Sequence, residues 1–161
     1  MDVEHLVFND GPKRVGPFSH AVKAGGFLFV TGQMPTLLDD PTTLVTGGIT
    51  EQTHQVMQNL GHVLTLSGCQ FSNVVFVRIY LVNFQDFDRM NDVYKTYFDA
   101  EKLPARTCIG VTGLAVGASV EIDLTAKLTA EWYKNNVEFK SNEIFNYTLN
   151  QIKFYERLNN R

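Results

Sequence analysis

Residues 120–129 alternate without a break: Val120, Ile122, Leu124, Ala126 and Leu128 interleave with Glu121, Asp123, Thr125, Lys127 and Thr129. A period of two puts the apolar side chains on one face, so this stretch predicts a strand with one side in a core and the other polar. Residues 74–82 are strongly β-branched and aromatic, which predicts a strand with most of both faces buried. Phe27-Leu28-Phe29-Val30-Thr31 lies between Gly25-Gly26 and Gly32, a short buried strand stopping at Gly32 and pairing with one over residues 19–23. A further strand is expected over 107–112, joined to the last by a loop over 113–119.

Elsewhere the period changes. Ile49, Thr53, Val56, Met57, Leu60, Val63 and Leu64 recur at helical spacing, so a helix should run from about 49 to 67, with Gly68 as its left-handed stop. Asp86 can cap a second helix whose apolar stripe is Phe87, Met90, Tyr94, Tyr97 and Phe98. Residues 33–48 are rich in Thr, Asp, Pro and Gly and read as loop. The order ββαβαββ defines an α+β domain with two helices on one face of a sheet. From about Asn135 the chain becomes Asn-rich, and Phe145, Leu149, Ile152 and Tyr155 fall at the spacing of one amphipathic helix. The expected organisation is a domain over 1–134 and an Asn-rich extension over 135–161.

Composition narrows the function classes. The 161 residues carry a formal net charge of −3, so general attraction to polyphosphate is absent and nucleic-acid binding is not expected. Cys69 and Cys108 form no CxxC and no metal spacing with histidine, which fits a reducing compartment better than a disulfide framework. The opening MDVEHLVFND has neither an apolar nor an Arg-rich presequence, and no apolar run reaches the ~18 residues of a membrane span. A soluble, cytoplasmic protein without membrane contact is expected.

Few residues invite chemistry. There is no GxGxxG, Walker loop, HExxH or GxSxG, and His5, His20, His54 and His62 are scattered, with His54 and His62 near the polar side of the first helix. Arg106, after Pro104-Ala105 at the mouth of a strand, is placed to grip a carboxylate with its planar fork or to close a salt bridge on the rim. Glu121 begins the polar face of the last strand, where an acid is either solvated or at work. If the last two strands form a hairpin, Glu121 lies opposite roughly residues 109–111, about 7–16 Å along the sheet from Arg106, room for a small substrate and one water.

A series of short blocks then occurs in order: Gly16-Pro17-Phe18-Ser19-His20-Ala21-Val22, Thr31-Gly32-Gln33, Glu51-Gln52-Thr53 with Asn59-Leu60, Phe87 with Asn91-Asp92-Val93-Tyr94, Pro104-Ala105-Arg106 and Val120-Glu121-Ile122. Over about residues 11–130 this series resembles the reactive-intermediate deaminase (Rid, YjgF or L-PSP) family. The resemblance implies a homotrimer of chorismate-mutase-like subunits with three clefts between neighbours. It implies hydrolysis of 2-imino acids such as 2-iminobutanoate and 2-iminopropanoate to 2-keto acids and ammonia, with no cofactor or metal because the imine is already electrophilic. By position, Arg106 would clamp the substrate carboxylate and Glu121 would orient or activate water. Backbone at Gly32 and Cys108 would touch the imine end, Thr31 and Asn91 would line the cleft, and the Cys108 thiol would serve packing. Phe18 stands where many members have Tyr, which removes a hydroxyl but keeps a wall, and Thr31 replaces a common Ser. The same cleft could hold a 2-keto acid without turnover, as a ligand-binding or regulatory module. RNA cleavage or translation inhibition, a label given to some relatives, is disfavoured by the acidic balance.

Overall fold

The strictly alternating stretch becomes an interior strand of the sheet. The computed structural model describes residues 3–128. In chain order the elements are β1 (Glu4–Leu6), β2 (Ala21–Ala24), β3 (Phe27–Gln33), β4 (Thr36–Leu37), β5 (Asp40–Leu44), α1 (Ile49–Leu66), β6 (Val74–Leu81), α2 (Phe87–Tyr94), β7 (Ala105–Gly110) and β8 (Val120–Lys127). The main sheet runs β1-β2-β3-β8-β6-β7, while β4 and β5 form a hairpin of their own. Every pairing is antiparallel except β6 with β7, which are parallel and joined through α2, since parallel neighbours need a crossover. The α+β architecture is the expected one. Among the described residues no helix is long and apolar enough to cross a membrane.

One face of the sheet carries the core. Leu28 and Val30 of β3, Val77, Ile79 and Leu81 of β6, and Val120, Ile122, Leu124 and Ala126 of β8 are buried together with Val56, Met57, Leu60, Val63 and Leu64 of α1 and Met90 and Val93 of α2. Burying one such aliphatic side chain stabilises the fold by about 1.5–3 kcal/mol. The Glu51 carboxylate accepts the Gly48 N–H at 2.8 Å at the start of α1. Gly68, at φ 76°, ends it in the left-handed region that a Cβ disfavours.

Several expectations are corrected. Residues 33–48 are not simply loop: they hold the β4–β5 hairpin, tied to α1 by the buried Asn59 amide, which donates to Met34 O and Thr36 O at 3.0 Å each. The strand from Phe27 does not stop at Gly32 but runs to Gln33, through a bulge. The 74–82 strand is covered on one face only, with Phe76 and Arg78 exposed on the other. Asp86 occupies the cap position of α2 without a side-chain capping bond; its carboxylate pairs with Arg89 instead. The helical stripe ends at Tyr94, and a single tighter turn carries Lys95–Tyr97. The strand expected over 107–112 begins at Ala105, which puts Arg106 inside it. The last two strands form no hairpin, because β6 lies between β7 and β8. The boundary at 134 and the extension over 135–161 lie outside the described residues.

The second face of the sheet is covered by no other element among the described residues. Phe27 and Phe29 of β3, Phe76 of β6 and Ile109 of β7 are exposed there, around the Arg78–Asp123 ion pair.

Candidate active site

Arg106 is fixed by one helix. It pairs in register with Val77, whose side chain is in the core, so Arg106 projects on the helix-covered side of the sheet. Phe87, Asn91 and Tyr94 stand four and three residues apart on α2 and so share a face. The Arg106 Nη1 donates to Asn91 Oδ1 at 2.6 Å. Its Cζ lies 5.6 Å from the Phe87 ring centre and 4.9 Å from that of Tyr94, within the range of about 6 Å where a ring face attracts a cation. No carboxylate is ion-paired with Arg106 among the described residues, so the rim salt bridge weighed from the sequence is not made there. The guanidinium keeps its charge for an anion from outside.

Cys108, two residues on, is half-buried and a free thiol. Burial raises its pKa and Arg106 pulls it the other way. Such a thiol stays protonated near neutrality and is a poor nucleophile, consistent with a packing role. Tyr94 is buried, its hydroxyl has no hydrogen-bond partner, and burial lifts its pKa to about 12 against the opposing pull of Arg106.

Glu121 belongs to a different place. It pairs with Tyr80 on β6 and faces away from the helices, on the same side as Asp123. The two acids differ in their bonding. Asp123 accepts from Arg78 Nε at 2.8 Å and from the Tyr80 hydroxyl at 3.0 Å. Glu121 has no protein donor among the described residues; burial raises its pKa, and the Asp123 charge adds to that rise. A half-buried carboxylate with unused acceptor positions is suited to holding a water.

The partner strand shapes this pocket. Val30 pairs with Leu124 and Gln33 with Ile122, so β3 carries one residue more than β8 and bulges at Thr31 and Gly32. Bulges re-aim the chain at functional sites. Here Gly32 is brought so close to Glu121 that an added Cβ would lie 2.0 Å from Oε1. Thr31 is half-buried, and its N–H donates to His20 O at 3.1 Å. Phe18 and Gly32 line one small recess of about 20 Å³ with Arg14, His20 and Met34.

The seven residues singled out from the sequence thus fall into two groups. Arg106, Asn91 and Cys108 stand together on the helix side, and Gly32 and Glu121 on the bare side, with Thr31 at the bulge and Phe18 beside Gly32. The hairpin is absent, yet the distance stays within the range expected from it: three residues along β6 and two strand spacings put Arg106 and Glu121 roughly 14 Å apart, but on opposite faces. A single chain does not bring them to one small substrate. Among the described residues no three His, Cys, Asp or Glu side chains gather as metal ligands.

Sequence reasoning missed two members. Tyr94 was visible in an apolar stripe and at the end of the Asn91–Tyr94 block but was given no role, although a buried tyrosine always brings a polar tip. His20 is buried, not a scattered surface group: its Nδ1 accepts the Phe8 N–H at 3.0 Å, and its Nε2 meets Pro12 O at 2.8 Å. This ring pins the loop that leads to Phe18. Its signal was its place inside the Gly-Pro-framed block 16–22.

With this geometry in view, comparison with known proteins identifies the class. The family model described as Endoribonuclease L-PSP matches residues 8–128. The chain belongs to the Rid (YjgF/L-PSP) family. It is 39% identical over 117 residues to a 2-iminobutanoate/2-iminopropanoate deaminase of Mus musculus, covering 71% of this chain and 84% of the relative. A RutC family protein of Pyrococcus horikoshii is 39% identical over 127 residues, 77% of this chain and 98% of that one. Among solved structures, a Rid family protein of Yersinia pestis superimposes with a TM-score of 0.73 at 32% identity, covering 79% of this chain and all of that one. Yeast Mmf1 gives 0.73 at 30% identity, with 80% and 100% covered.

Proposed function

We propose that this protein hydrolyses small 2-imino acids to 2-keto acids and ammonia, as a homotrimer whose sites each draw on two neighbouring subunits. The observation that carries the reading is the pair of half-sites: among the described residues, a cation with no anion and a half-buried carboxylate with no donor, on opposite faces of one chain. The bare apolar face with Phe27, Phe29, Phe76 and Ile109 supports the assembly, since contiguous exposed apolar surface marks an interface. The similarity to the deaminase of Mus musculus supports the chemistry.

Arg106 of one subunit holds the substrate carboxylate by parallel N–H···O bonds, and Asn91 keeps the guanidinium plane from rotating. Glu121 of the neighbour takes a proton from water as the water oxygen bonds to the imine carbon, and the C=N π electrons move to the protonated nitrogen. The carbinolamine so formed collapses: Glu121 returns the proton to the amine, then takes the hydroxyl proton as the C–N bond breaks and the carbonyl forms, and that proton leaves with the ammonia as ammonium. General acid–base help of this kind is worth about 10²–10⁴-fold. Backbone at Gly32 and Cys108 lies against the imine end, with Thr31 lining the cleft. Phe18 supplies a wall without a hydroxyl. The test is keto-acid release from imines made in situ by an amino-acid oxidase; tight 2-keto acid binding without release would favour the non-catalytic ligand-binding reading instead.

A further inference from the structure

Two cations remain that this mechanism does not use. Lys13 and Arg14 sit in the loop over residues 11–17 and line the same recess as Phe18 and Gly32. Both are tied to backbone oxygens only. Arg14 Nη1 donates to Phe18 O at 2.5 Å, and Lys13 Nζ donates to Asn9 O at 3.2 Å. Neither is ion-paired with a carboxylate among the described residues. Asp39 lines the adjoining groove with them. A carbonyl oxygen orients a cation without neutralising it, and the remaining guanidinium donors keep their capacity for an anion.

The loop is also held in place. His20 clamps both ends of residues 8–12, through Phe8 N–H and Pro12 O, and the Lys13 N–H donates to Leu38 O at 3.0 Å. Arg14 therefore stands on an anchored wall, in the recess that Phe18 and Gly32 also line.

We propose that Arg14, assisted by Lys13, is a subsite for a second anionic group, which makes the imines of dicarboxylic amino acids the preferred substrates. This inference rests on the imine-hydrolase reading. With the α-carboxylate on Arg106 and the imine carbon at Gly32 and Glu121, the substrate side chain runs along Phe18 toward Arg14. A two- or three-carbon side chain ending in a carboxylate meets the guanidinium there; a methyl or ethyl group does not reach it.

The test measures kcat/KM for imines generated in situ by oxidases from aspartate, glutamate, alanine and 2-aminobutyrate. The expected result is a higher kcat/KM for the two dicarboxylic imines than for the other two. Arg14→Ala should lower that dicarboxylic-to-monocarboxylic ratio about 10-fold, as loss of a charge-assisted bond does, and Arg14→Glu should lower it further. The preference should shrink as salt rises, because the pair is open to solvent. A ratio within twofold of wild type in Arg14→Ala overturns the subsite. Calorimetric titration with 2-oxoglutarate and with pyruvate reads it without turnover. Selective weakening of 2-oxoglutarate in Arg14→Ala supports the subsite even if no imine is hydrolysed, an outcome that would sink the deaminase reading alone. Equal weakening of both ligands overturns the subsite.

Discussion

The two half-sites are built in opposite ways. Around Arg106 everything comes from one stretch of chain: Phe87, Asn91 and Tyr94 on α2 and the arginine on the next strand, within twenty residues. Around Glu121 nothing is local: Gly32 meets it through a β3–β8 pairing that links the two ends of the domain, and only because β3 bulges. The cation is held by neighbours in sequence and aimed outward; the carboxylate is held by topology. If the proposed roles hold, binding and water activation are set by separate devices and should fail separately.

The largest effects test that separation. Glu121→Gln should lower kcat by about 10²-fold or more while a 2-keto acid binds about as well, measured by steady-state kinetics and calorimetry. Arg106→Ala should lower kcat/KM at least about 10-fold through loss of a charged pair, with Arg106→Lys restoring only part because an ammonium has no fork. Full activity in folded Arg106→Ala would discard the carboxylate clamp. The comparison sharpens when the two inactive variants are unfolded together and refolded as a mixture. If each site takes Arg106 and Glu121 from different subunits, about one quarter of sites in randomly mixed rings regain both, and activity returns to that level. A mixture as dead as its parts would place both residues in one subunit's site.

Smaller effects follow from the bulge and from charge. Gly32→Ala puts a Cβ where the Glu121 carboxylate lies, so kcat should fall about 10-fold with little change in thermal midpoint, since the end of a flexible side chain gives way. Burial raises the Glu121 pKa, so the acid limb of the kcat profile should lie above the ordinary glutamate value of about 4.3, and Glu121→Gln should abolish it. The sign for stability follows. The folded chain binds this proton more tightly than the unfolded one, so the cost of the buried charge is present above the folded pKa and is relieved as pH falls through it. Denaturant titrations at pH 7 should find Glu121→Gln slightly more stable than wild type.

Much of this was legible beforehand, and the failures share a cause. The period of α1 and the alternation of β8 report which side of an element is apolar, and both elements formed where expected. Arg106 and Glu121 stood out because a strand-mouth guanidinium and a polar-face acid need a reason. Alternation says nothing about which strands are neighbours, and the parallel β6–β7 pair came between two strands that chain order suggested were a hairpin. The β4–β5 hairpin was hidden because Asp39, Asp40 and Pro41, residues typical of turns, stand at its turn and inside its second strand; Asp40 accepts from both the N–H and the hydroxyl of Thr42 to shape it.

The pairing of β3 with β8 also has a cost in time. Val30 must wait for Leu124, and Phe27 for Lys127, before either ladder bond can form. At about 5–20 residues per second, a ribosome takes roughly 5–20 s to deliver those hundred residues. Throughout that interval the β2–β3 hairpin stands with an open edge and two exposed phenylalanines. β3, made early, is therefore among the last strands to be sheltered. Newly made chains should be most vulnerable to aggregation and proteolysis at Phe27 and Phe29, well before β8 arrives to cover that edge.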